Sequence, residues 1–190
     1  MKKKVIIVTD GDLMAQRAIE TAAQNIGARV ISRSAGNPTI LSGEEIVDLI
    51  KEAKHDPVIV MVDDRGNTHK GDGEKAMEYI LNSNEVEVIG AVAVASNTSK
   101  VTGVEVDASI DRNGNVTHQA VDKDGNPKDD KIIKGDTVDV LSRFDIPVVG
   151  VGDPGKMEGS DDVEFGAPII TKALEEVIKL YELKNKLKKQ

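Results

Sequence analysis

The architecture of this 190-residue chain follows from one stretch near its beginning, Val5-Ile6-Ile7-Val8-Thr9-Asp10-Gly11-Asp12. The four consecutive β-branched residues predict a strand that is buried on both faces, as in a parallel sheet. Small and acidic residues follow directly, and apolar residues then recur at helical spacing from residue 13 to residue 26. A buried strand, a polar turn and an amphipathic helix form the repeating unit of α/β proteins.

The same pattern continues through the first half of the chain. Further strands are predicted at residues 29–32, 58–62 and 86–94, with amphipathic helices between them. Ser42 and Glu45 have the spacing of a capping box, which predicts the start of the second helix. Strands that alternate with helices in this way predict a three-layer, mainly parallel, Rossmann-like sheet with helices on both faces.

The second half of the chain adds an insertion and a long final helix. Residues 104–110 alternate with period two and Asn113-Gly114 is a strong turn signal, so we interpret residues 103–131 as a β-hairpin excursion from the sheet. The remaining predicted elements are a short helix at 138–144, a last core strand at 146–150 and a final helix from about Pro168. We interpret residues 1–190 as one domain without an internal repeat.

Composition excludes several classes of protein. The chain has 25 Lys and Arg against 33 Asp and Glu, and its aromatic content is 2%, which argues against a nucleic-acid-binding partner. It has no cysteine, so disulfides, thiolate metal sites and a cysteine nucleophile are excluded. No apolar run approaches the roughly 20 residues of a membrane span, and the run after the basic residues 2–4 is too short for a signal peptide.

Small and acidic residues collect where the predicted strands end, which is the edge where open parallel sheets bind ligands. Four carboxylates there could hold Ca²⁺ or Mg²⁺, which prefer oxygen ligands; no other cofactor is predicted. These carboxylates belong to Asp10, Asp12, Asp63 and Asp64. The predicted ligand-binding residues at the same edge are Ser34, Gly36, Asn37, Asp153, Gly155 and Lys156. In the alternative interpretation, Asp12 and Asp64 cap helices and the glycines shape turns.

Residues 150–157 fit parts of two phosphate-binding motifs. Gly150, Gly152 and Gly155 have the spacing of a dinucleotide fingerprint, and Gly155-Lys156 has that of a P-loop. Met157 stands where a P-loop has a hydroxyl side chain, and no helix begins at once. We interpret this segment as a glycine-rich loop over the sheet edge, with a lid and a phosphate loop as the open alternatives.

An enzymatic alternative rests on the acidic residues. An acidic loop after the first strand and an Asp pair after the third resemble the Toprim domain of primases and topoisomerases. That domain has a glutamate after its first strand and an Asp-x-Asp later, whereas this chain has Thr9-Asp10-Gly11 and adjoining Asp63-Asp64. The alternative function is a Mg²⁺-dependent, Toprim-like or phosphate-handling enzyme that uses this acidic rim. His69 lies in a polar loop that follows Asp63 and Asp64, where a solvated histidine is the simpler interpretation and a candidate catalytic residue the alternative.

The end of the final helix is basic. Residues 179–190 contain five lysines and one acidic residue, Glu182. Such a segment could contact anionic lipid or an acidic partner. Its cations would also complement the negative end of the helix dipole, which is the simpler interpretation.

Several short stretches occur together in an order that resembles one family, the soluble stage V sporulation protein AE of spore-forming bacteria. The similarity covers about residues 4–178. The stretches are residues 8–12, 31–38, 55–58, 63–64, 93–96, 106–111, 135–138 and 150–157.

This resemblance implies a role in the spore rather than a reaction. The products of the family's operon take dipicolinic acid, with its calcium, into the developing spore and release it at germination. The resemblance therefore implies a non-enzymatic component of that machinery, peripheral to the inner membrane of the spore. Its expected partners are membrane proteins of the same operon and calcium dipicolinate, and it implies no catalytic residues.

Overall fold

The computed structural model describes residues 1–65, 71–97 and 101–189, and these residues form nine strands and four α-helices. The strands are β1 Lys3–Val8, β2 Arg29–Val30, β3 Val58–Met61, β4 Val86–Val94, β5 Val104–Glu105, β6 Ala108–Ile110, β7 Val116–Thr117, β8 Ile132–Ile133 and β9 Val148–Val151. The helices are α1 Leu13–Asn25, α2 Gly43–Glu52, α3 Asp72–Asn82 and α4 Pro168–Leu187.

The main sheet has seven strands in the order β2-β3-β1-β4-β9-β6-β7, and only the β6–β7 pair is antiparallel. Strands β5 and β8 form a separate antiparallel pair. The central strand β1 is buried on both faces: Ile7 packs against the core under α2 and α3, and Ile6 against the core under α1 and α4. These observations confirm a mainly parallel, three-layer α/β fold.

Local sequence signals set the helix ends. Ser42 accepts a hydrogen bond from the Glu45 amide and Glu45 accepts one from the Ser42 amide, which confirms the capping box. Pro168 is the first residue of α4, also as predicted. None of the helices among the described residues is long and apolar enough to cross a membrane.

The second strand is shorter than predicted and ends at Val30. Residues Ser32–Ser34 instead form a 3₁₀ turn. Here the fully buried Ser34 hydroxyl, rather than a strand backbone, provides the hydrogen-bond partner for β3. It donates to the Ile31 carbonyl at 2.7 Å and accepts from the Met61 amide at 2.9 Å. The predicted short helix at 138–144 is likewise a 3₁₀ helix, Val138–Arg143.

The predicted hairpin forms around Asn113-Gly114, but it extends the main sheet instead of leaving it, because β6 pairs with β9. A second turn, from Asp122 to Asn126, repeats the first at a spacing of eleven residues. In each turn the leading Asp accepts two backbone N–H groups and an Asn side chain, and the glycine has a φ of +78°. The two turns therefore share one local geometry.

The basic end of α4 is partly neutralised within the chain. Lys184 pairs with Asp145, and the Lys188 Nζ lies 3.9 Å from the other oxygen of that carboxylate. Lys179 pairs with Glu176 at 3.0 Å, one turn earlier in the helix. Three of the five lysines therefore have acidic partners in their own chain, which reduces the charge available to a membrane or to another protein.

Candidate functional site: an acidic cavity at the carboxyl ends of the strands

A small cavity of about 170 Å³ lies where β1, β3, β4 and β9 end. Its described lining contains five carboxylates, and we call it the acidic cavity. They belong to Asp10, Asp12, Asp63, Asp136 and Asp153. The other lining residues are Thr9, Asn37, Arg65, Val94, Ala95 and Ser96. Wider surface depressions exist elsewhere, but this one has the most convergent carboxylates.

The wall of the acidic cavity depends on a close approach of two glycines. The Gly36 amide donates to the Gly11 carbonyl at 2.9 Å. A Cβ atom at Gly11 would lie only 2.6 Å from the Gly36 carbonyl oxygen, closer than packing allows. Gly36 therefore supports the cavity as backbone, and it is not among the residues that line it.

Two of the four carboxylates predicted to hold a metal are occupied with helix capping. Asp12 accepts a hydrogen bond from the Ala15 amide at 2.9 Å as the N-cap of α1. Asp64 accepts from the Gly73 and Glu74 amides, at 2.7 and 3.0 Å, in the first turn of α3. The capping interpretation of these two residues is thus confirmed, and Asp64 does not line the acidic cavity.

Asp63 and Asp10 lie deeper in the cavity wall. The Asp63 carboxylate accepts from the Arg65 amide at 2.8 Å and from the Gly11 amide at 3.3 Å, which ties the end of β3 to the end of β1. Asp10 accepts from the Asp12 amide at 3.2 Å. Both side chains keep oxygen lone pairs for a ligand, since a carboxylate has about four acceptor positions.

Burial and mutual repulsion favour the neutral form of these carboxyl groups. Burial raises the pKa of Asp10 to about 8, and the negative charge of Asp12 adds to the effect. Burial also raises the pKa of Asp63 and of Asp153, in each case against hydrogen bonds from backbone amides that favour the anion. A cation bound among these carboxylates would favour their ionised form and so lower their pKa values.

The predicted ligand-binding residues divide into two groups. Asn37 and Asp153 line the acidic cavity, whereas Ser34 is buried under it in a structural role. Gly155 and Lys156 are exposed and do not line it, although the Gly155 amide donates to Asp153 at 2.8 Å. Which of them bind a ligand remains a prediction.

The glycine-rich loop has packing reasons for its sequence. A Cβ atom at Gly150 would lie 2.5 Å from the Ser109 hydroxyl, and one at Gly152 would lie 2.7 Å from the Gly125 amide. Met157 is fully buried and anchors the loop in the core. The next helical turn is the 3₁₀ turn Val163–Phe165, so no helix N-terminus follows the glycines as a phosphate loop requires.

Of the five carboxylates that line the acidic cavity, sequence reasoning missed one, Asp136. Asp136 reaches it from the segment after β8 and accepts a hydrogen bond from the Ser96 hydroxyl at 3.3 Å. The only signal for Asp136 in the sequence was the stretch 135–138, which contributed to the family resemblance but had no assigned role. His69, the candidate catalytic residue, lies outside the described residues.

The acidic cavity is not a preformed metal centre. Within residues 1–65, 71–97 and 101–189, no group of three or more His, Asp or Glu side chains is arranged to hold a metal ion. Thr9-Asp10-Gly11 at the end of β1 also lacks the glutamate of the Toprim pattern. The fold is α/β as expected, but its resemblance to Toprim in detail is unconfirmed.

Comparison with protein families decides the class of the protein. A family model, described as stage V sporulation protein AE1, matches residues 4–180 of the 190-residue chain. The chain belongs to this family. Stage V sporulation protein AE1 is a sporulation family with no known enzymatic role. Searches of curated proteins and of solved structures gave no match.

The match extends over every element that forms the acidic cavity and ends within α4. The last lysines of the helix lie beyond the matched residues. The stage V sporulation protein AE1 relationship therefore bears on the cavity, but it says nothing about the basic end of the chain.

Proposed function

We propose that this sporulation protein is a non-enzymatic component of the machinery that moves dipicolinic acid into the spore and out at germination. In this proposal the acidic cavity binds the divalent cation that accompanies dipicolinate. One observation carries it: five carboxylates converge on one small cavity, where Arg65 is the only cation among the described lining residues.

The size of the cavity favours an ion over a large organic ligand. Its 170 Å³ is below the roughly 300–1,000 Å³ of pockets that enclose drug-sized molecules. A divalent ion such as Ca²⁺, with part of its water shell, fits this volume. Carboxylate oxygens are also its preferred ligands.

The charge of the cavity explains why the cation is needed. Dipicolinate is a dianion, and ionised carboxylates alone would repel it. A bound Ca²⁺ would neutralise the carboxylates and leave positions for oxygens of dipicolinate. Because no three acidic side chains form a closed ligand set in the described part of the chain, binding would be weak and reversible. Reversible binding suits a transport component.

Location and partners follow from the same proposal. The protein would act in the spore, peripheral to the inner membrane, beside membrane proteins of its operon. The competing function, a Mg²⁺-dependent Toprim-like or phosphate-handling enzyme, lacks support from the family and from the cavity. Thr9-Asp10-Gly11 lacks the glutamate that follows the first strand in the Toprim pattern.

A thermal-shift titration tests the proposed cation site. The protein is titrated at pH 8 with Ca²⁺, Mg²⁺, dipicolinate and calcium dipicolinate. A ligand at about one hundred times its Kd stabilises the folded state by about 2.7 kcal/mol, or about 5–10 °C in Tm for a chain of this size. We expect Ca²⁺ and calcium dipicolinate to raise the Tm.

Two variants and one control locate the effect. Asp63→Asn and Asp136→Asn each remove one cavity carboxylate with little change in shape, and both should reduce the shift. Asp129→Asn removes an exposed carboxylate that does not line the cavity, and it should keep the full shift. A calcium shift that survives both cavity variants, or no shift with any ligand, would contradict the proposal.

A further inference from the structure

The border of the main sheet where the strands begin, opposite the acidic cavity, is basic. At one end of this border a depression of about 470 Å³ lies between the edge strand β2 and the end of α2. We call it the basic groove, and its cationic side chains belong to Arg29, Arg33, Lys54 and His55. Glu52 is the single carboxylate in its described lining, although the chain carries a formal net charge of −8.

The basic groove continues into a second depression at the starts of β1 and β4. This one has a volume of about 540 Å³, and Lys2, Lys3 and Lys4 contribute to its lining together with Asp56. His55 lines the first depression and Asp56 the second, so the two are neighbours. The Lys4 amide donates to the Asp56 carboxylate at 3.0 Å, which holds the start of β1 beside the turn that precedes β3.

The end of α4 reaches the same border from the other face of the sheet. The Lys4 Nζ lies 5.7 Å from the centre of the Tyr181 ring, and the Tyr181 hydroxyl donates to Glu87 at the start of β4. Helix α4 ends six residues after Tyr181, so its last part extends about 9 Å beyond this contact. The lysines of the helix end therefore lie beside those of β1.

Ion pairs within the chain leave the helix end basic. Lys184 and Lys188 share the single carboxylate of Asp145, so together they keep one positive charge. Lys186 and Lys189 are exposed and form no ion pair within 4 Å of any described residue.

We call the basic groove, residues 2–4 and residues 182–189 together the basic band. It crosses the starts of β2, β3, β1, β4 and β9, a width of about 20 Å at about 4.8 Å between neighbouring strands. Ten lysines and arginines belong to the band, twice the number of carboxylates that line it or pair with it. Those carboxylates are Glu52, Asp56, Glu87, Asp145 and Glu182.

Two exposed leucines lie among the lysines of the helix end. Leu183 is 48% exposed and Leu187 is 72% exposed. They are four residues apart and therefore share one face of α4. Apolar side chains flanked by lysines are typical of helices that contact lipid, because the apolar groups enter the bilayer while the ammonium groups stay at the phosphates.

We propose that the basic band docks this protein on a bilayer that contains anionic lipid, with the acidic cavity facing away from it. A small anion would occupy one depression, whereas a bilayer offers negative charge over the whole width and an apolar interior for the two leucines. The six residues of β1 separate the band from the cavity by about 20 Å. The carboxylates of the cavity are repelled by the same lipid, which disfavours the opposite orientation.

The docking surface and the class of lipid rest on the charge and exposure of the band. The proposed function contributes one element to the inference, namely that a membrane is present where the protein acts.

Vesicle flotation tests the proposal with the full chain and a chelator present. The vesicles consist of phosphatidylcholine alone or of phosphatidylcholine mixed with the anionic phosphatidylglycerol. We expect binding to the anionic vesicles alone, weakened about tenfold or more in about 1 M salt, where screening limits charge attraction to about 3 Å.

Two double variants remove charge from opposite ends of the basic band. Arg29→Gln/Lys54→Gln acts in the groove and Lys186→Gln/Lys189→Gln at the helix end, and all four side chains are exposed. Each variant should weaken binding to anionic vesicles by about tenfold or more, because one basic residue near such a surface contributes about fivefold.

The matched control Lys134→Gln/Lys156→Gln changes the net charge by the same amount at the opposite border. The Lys134 carbonyl accepts from the Ser96 amide and the Lys156 amide donates to the Asp153 carbonyl, which places both exposed lysines beside the acidic cavity. This control should bind within about twofold of the parent.

The leucines separate a lipid surface from an acidic protein. Leu183→Gln/Leu187→Gln keeps every charge and should weaken binding to anionic vesicles by at least about fivefold, because less apolar surface enters the bilayer. Full vesicle binding by this variant would point to an acidic protein as the partner and overturn the proposal. Equal binding to neutral and anionic vesicles, equal weakening in the lysine control, weakening at one end of the band alone, or no vesicle binding would overturn it as well.

The outcome is separable from that of the proposed cation site. Vesicle binding is measured without calcium or dipicolinate and should be unaffected by Asp63→Asn, whereas the calcium shift in Tm should be unaffected by Arg29→Gln/Lys54→Gln. Each proposal can therefore fail while the other stands.

Discussion

The acidic cavity and the basic groove lie at two borders of one sheet and are built in opposite ways. The cavity sits at the carboxyl ends of the strands, where Gly11 and Gly36 are in backbone contact and Asp63 joins two strand ends. The groove sits beside the edge strand and presents exposed cations such as Arg29 and Arg33. Backbone contacts thus determine the shape of the cavity, whereas exposed side chains determine the charge of the groove.

This difference determines how each site responds to its surroundings. Burial raises the pKa of Asp10, Asp63 and Asp153 in the cavity, so cation binding there depends on pH. The cations of the groove stay hydrated, so binding there depends on ionic strength. Substitutions should likewise affect folding at the cavity and membrane affinity at the groove.

The largest expected effect concerns Asp161, a buried carboxylate outside both sites that accepts hydrogen bonds from two backbone amides. It is 2% exposed and accepts the Ile169 amide at 2.7 Å and the Ile170 amide at 3.2 Å, at the start of α4. Asp161→Ala should lower the free energy of unfolding by about 3 kcal/mol, because two buried N–H groups lose their acceptor. Urea denaturation measures this loss.

The exposed Asp129→Ala serves as the control for Asp161→Ala and should change stability by less than about 0.5 kcal/mol. If Asp161→Ala stays within that same limit, the carboxylate does not support α4.

The second prediction tests whether backbone contact sets the cavity. Gly11→Ala would place its Cβ 2.6 Å from the Gly36 carbonyl oxygen, so one of the two loops must move. We expect a loss of about 2 kcal/mol in the free energy of unfolding, within the usual range for overpacking. The same urea denaturation experiment applies.

Gly155→Ala is the matched control at the border of the same cavity. Its Cβ would meet no atom closer than 3.4 Å, and its φ lies outside the left-handed region, so its cost should stay below about 0.5 kcal/mol. Equal effects of the two substitutions would show that the Gly11–Gly36 contact does not set the wall.

The third prediction concerns Asp10, whose pKa burial raises from 3.8 to about 8. Between about pH 4 and pH 8 the folded protein holds a proton that the unfolded chain has released, so stability falls as pH rises through this window. The slope is at most about 1.4 kcal/mol per pH unit for one group. The side chain introduced by Asp10→Asn cannot ionise, so the stability of this variant should not fall with pH for that reason.

The free energy of unfolding of Asp10→Asn, relative to that of the parent protein, should therefore rise by at least about 1 kcal/mol when the pH is raised from 5 to 8. Urea denaturation at both pH values measures the gain, and Asp129→Asn should show none. Parallel stability curves for Asp10→Asn and the parent would mean that Asp10 is ionised in the folded protein.

The two sites also differ in how far they could be predicted from the sequence. Residues that directly follow buried strands, such as Asp10, Asp63 and Asp153, were predictable because parallel strands end at one edge. Asp136 was not, since it reaches the cavity from a segment after the small β5–β8 pair. Its approach depends on tertiary packing rather than on any strand pattern.

The basic groove could not be found by the same reasoning. Arg33 and Lys54 are distant in sequence and line one depression beside β2, which pairs with β3 and ends early at Val30. The early end depends on the Ser34 hydroxyl, a tertiary hydrogen bond that no local propensity indicates. Scattered cations also occur on any hydrated surface, so their pattern alone predicts no site.

The smallest expected effect separates a binding role of the groove from a protective one. Charged side chains on edge strands often prevent edge-to-edge association, and Arg29 could serve only that purpose. Because β2 offers just two residues for pairing, Arg29→Gln/Lys54→Gln should remain as associated or unassociated as the parent in sedimentation velocity. Its free energy of unfolding should change by less than about 0.5 kcal/mol, since no ion pair is broken. New self-association would assign Arg29 to edge protection, whereas unchanged stability and association together with lost affinity for anionic vesicles leave membrane binding as its role.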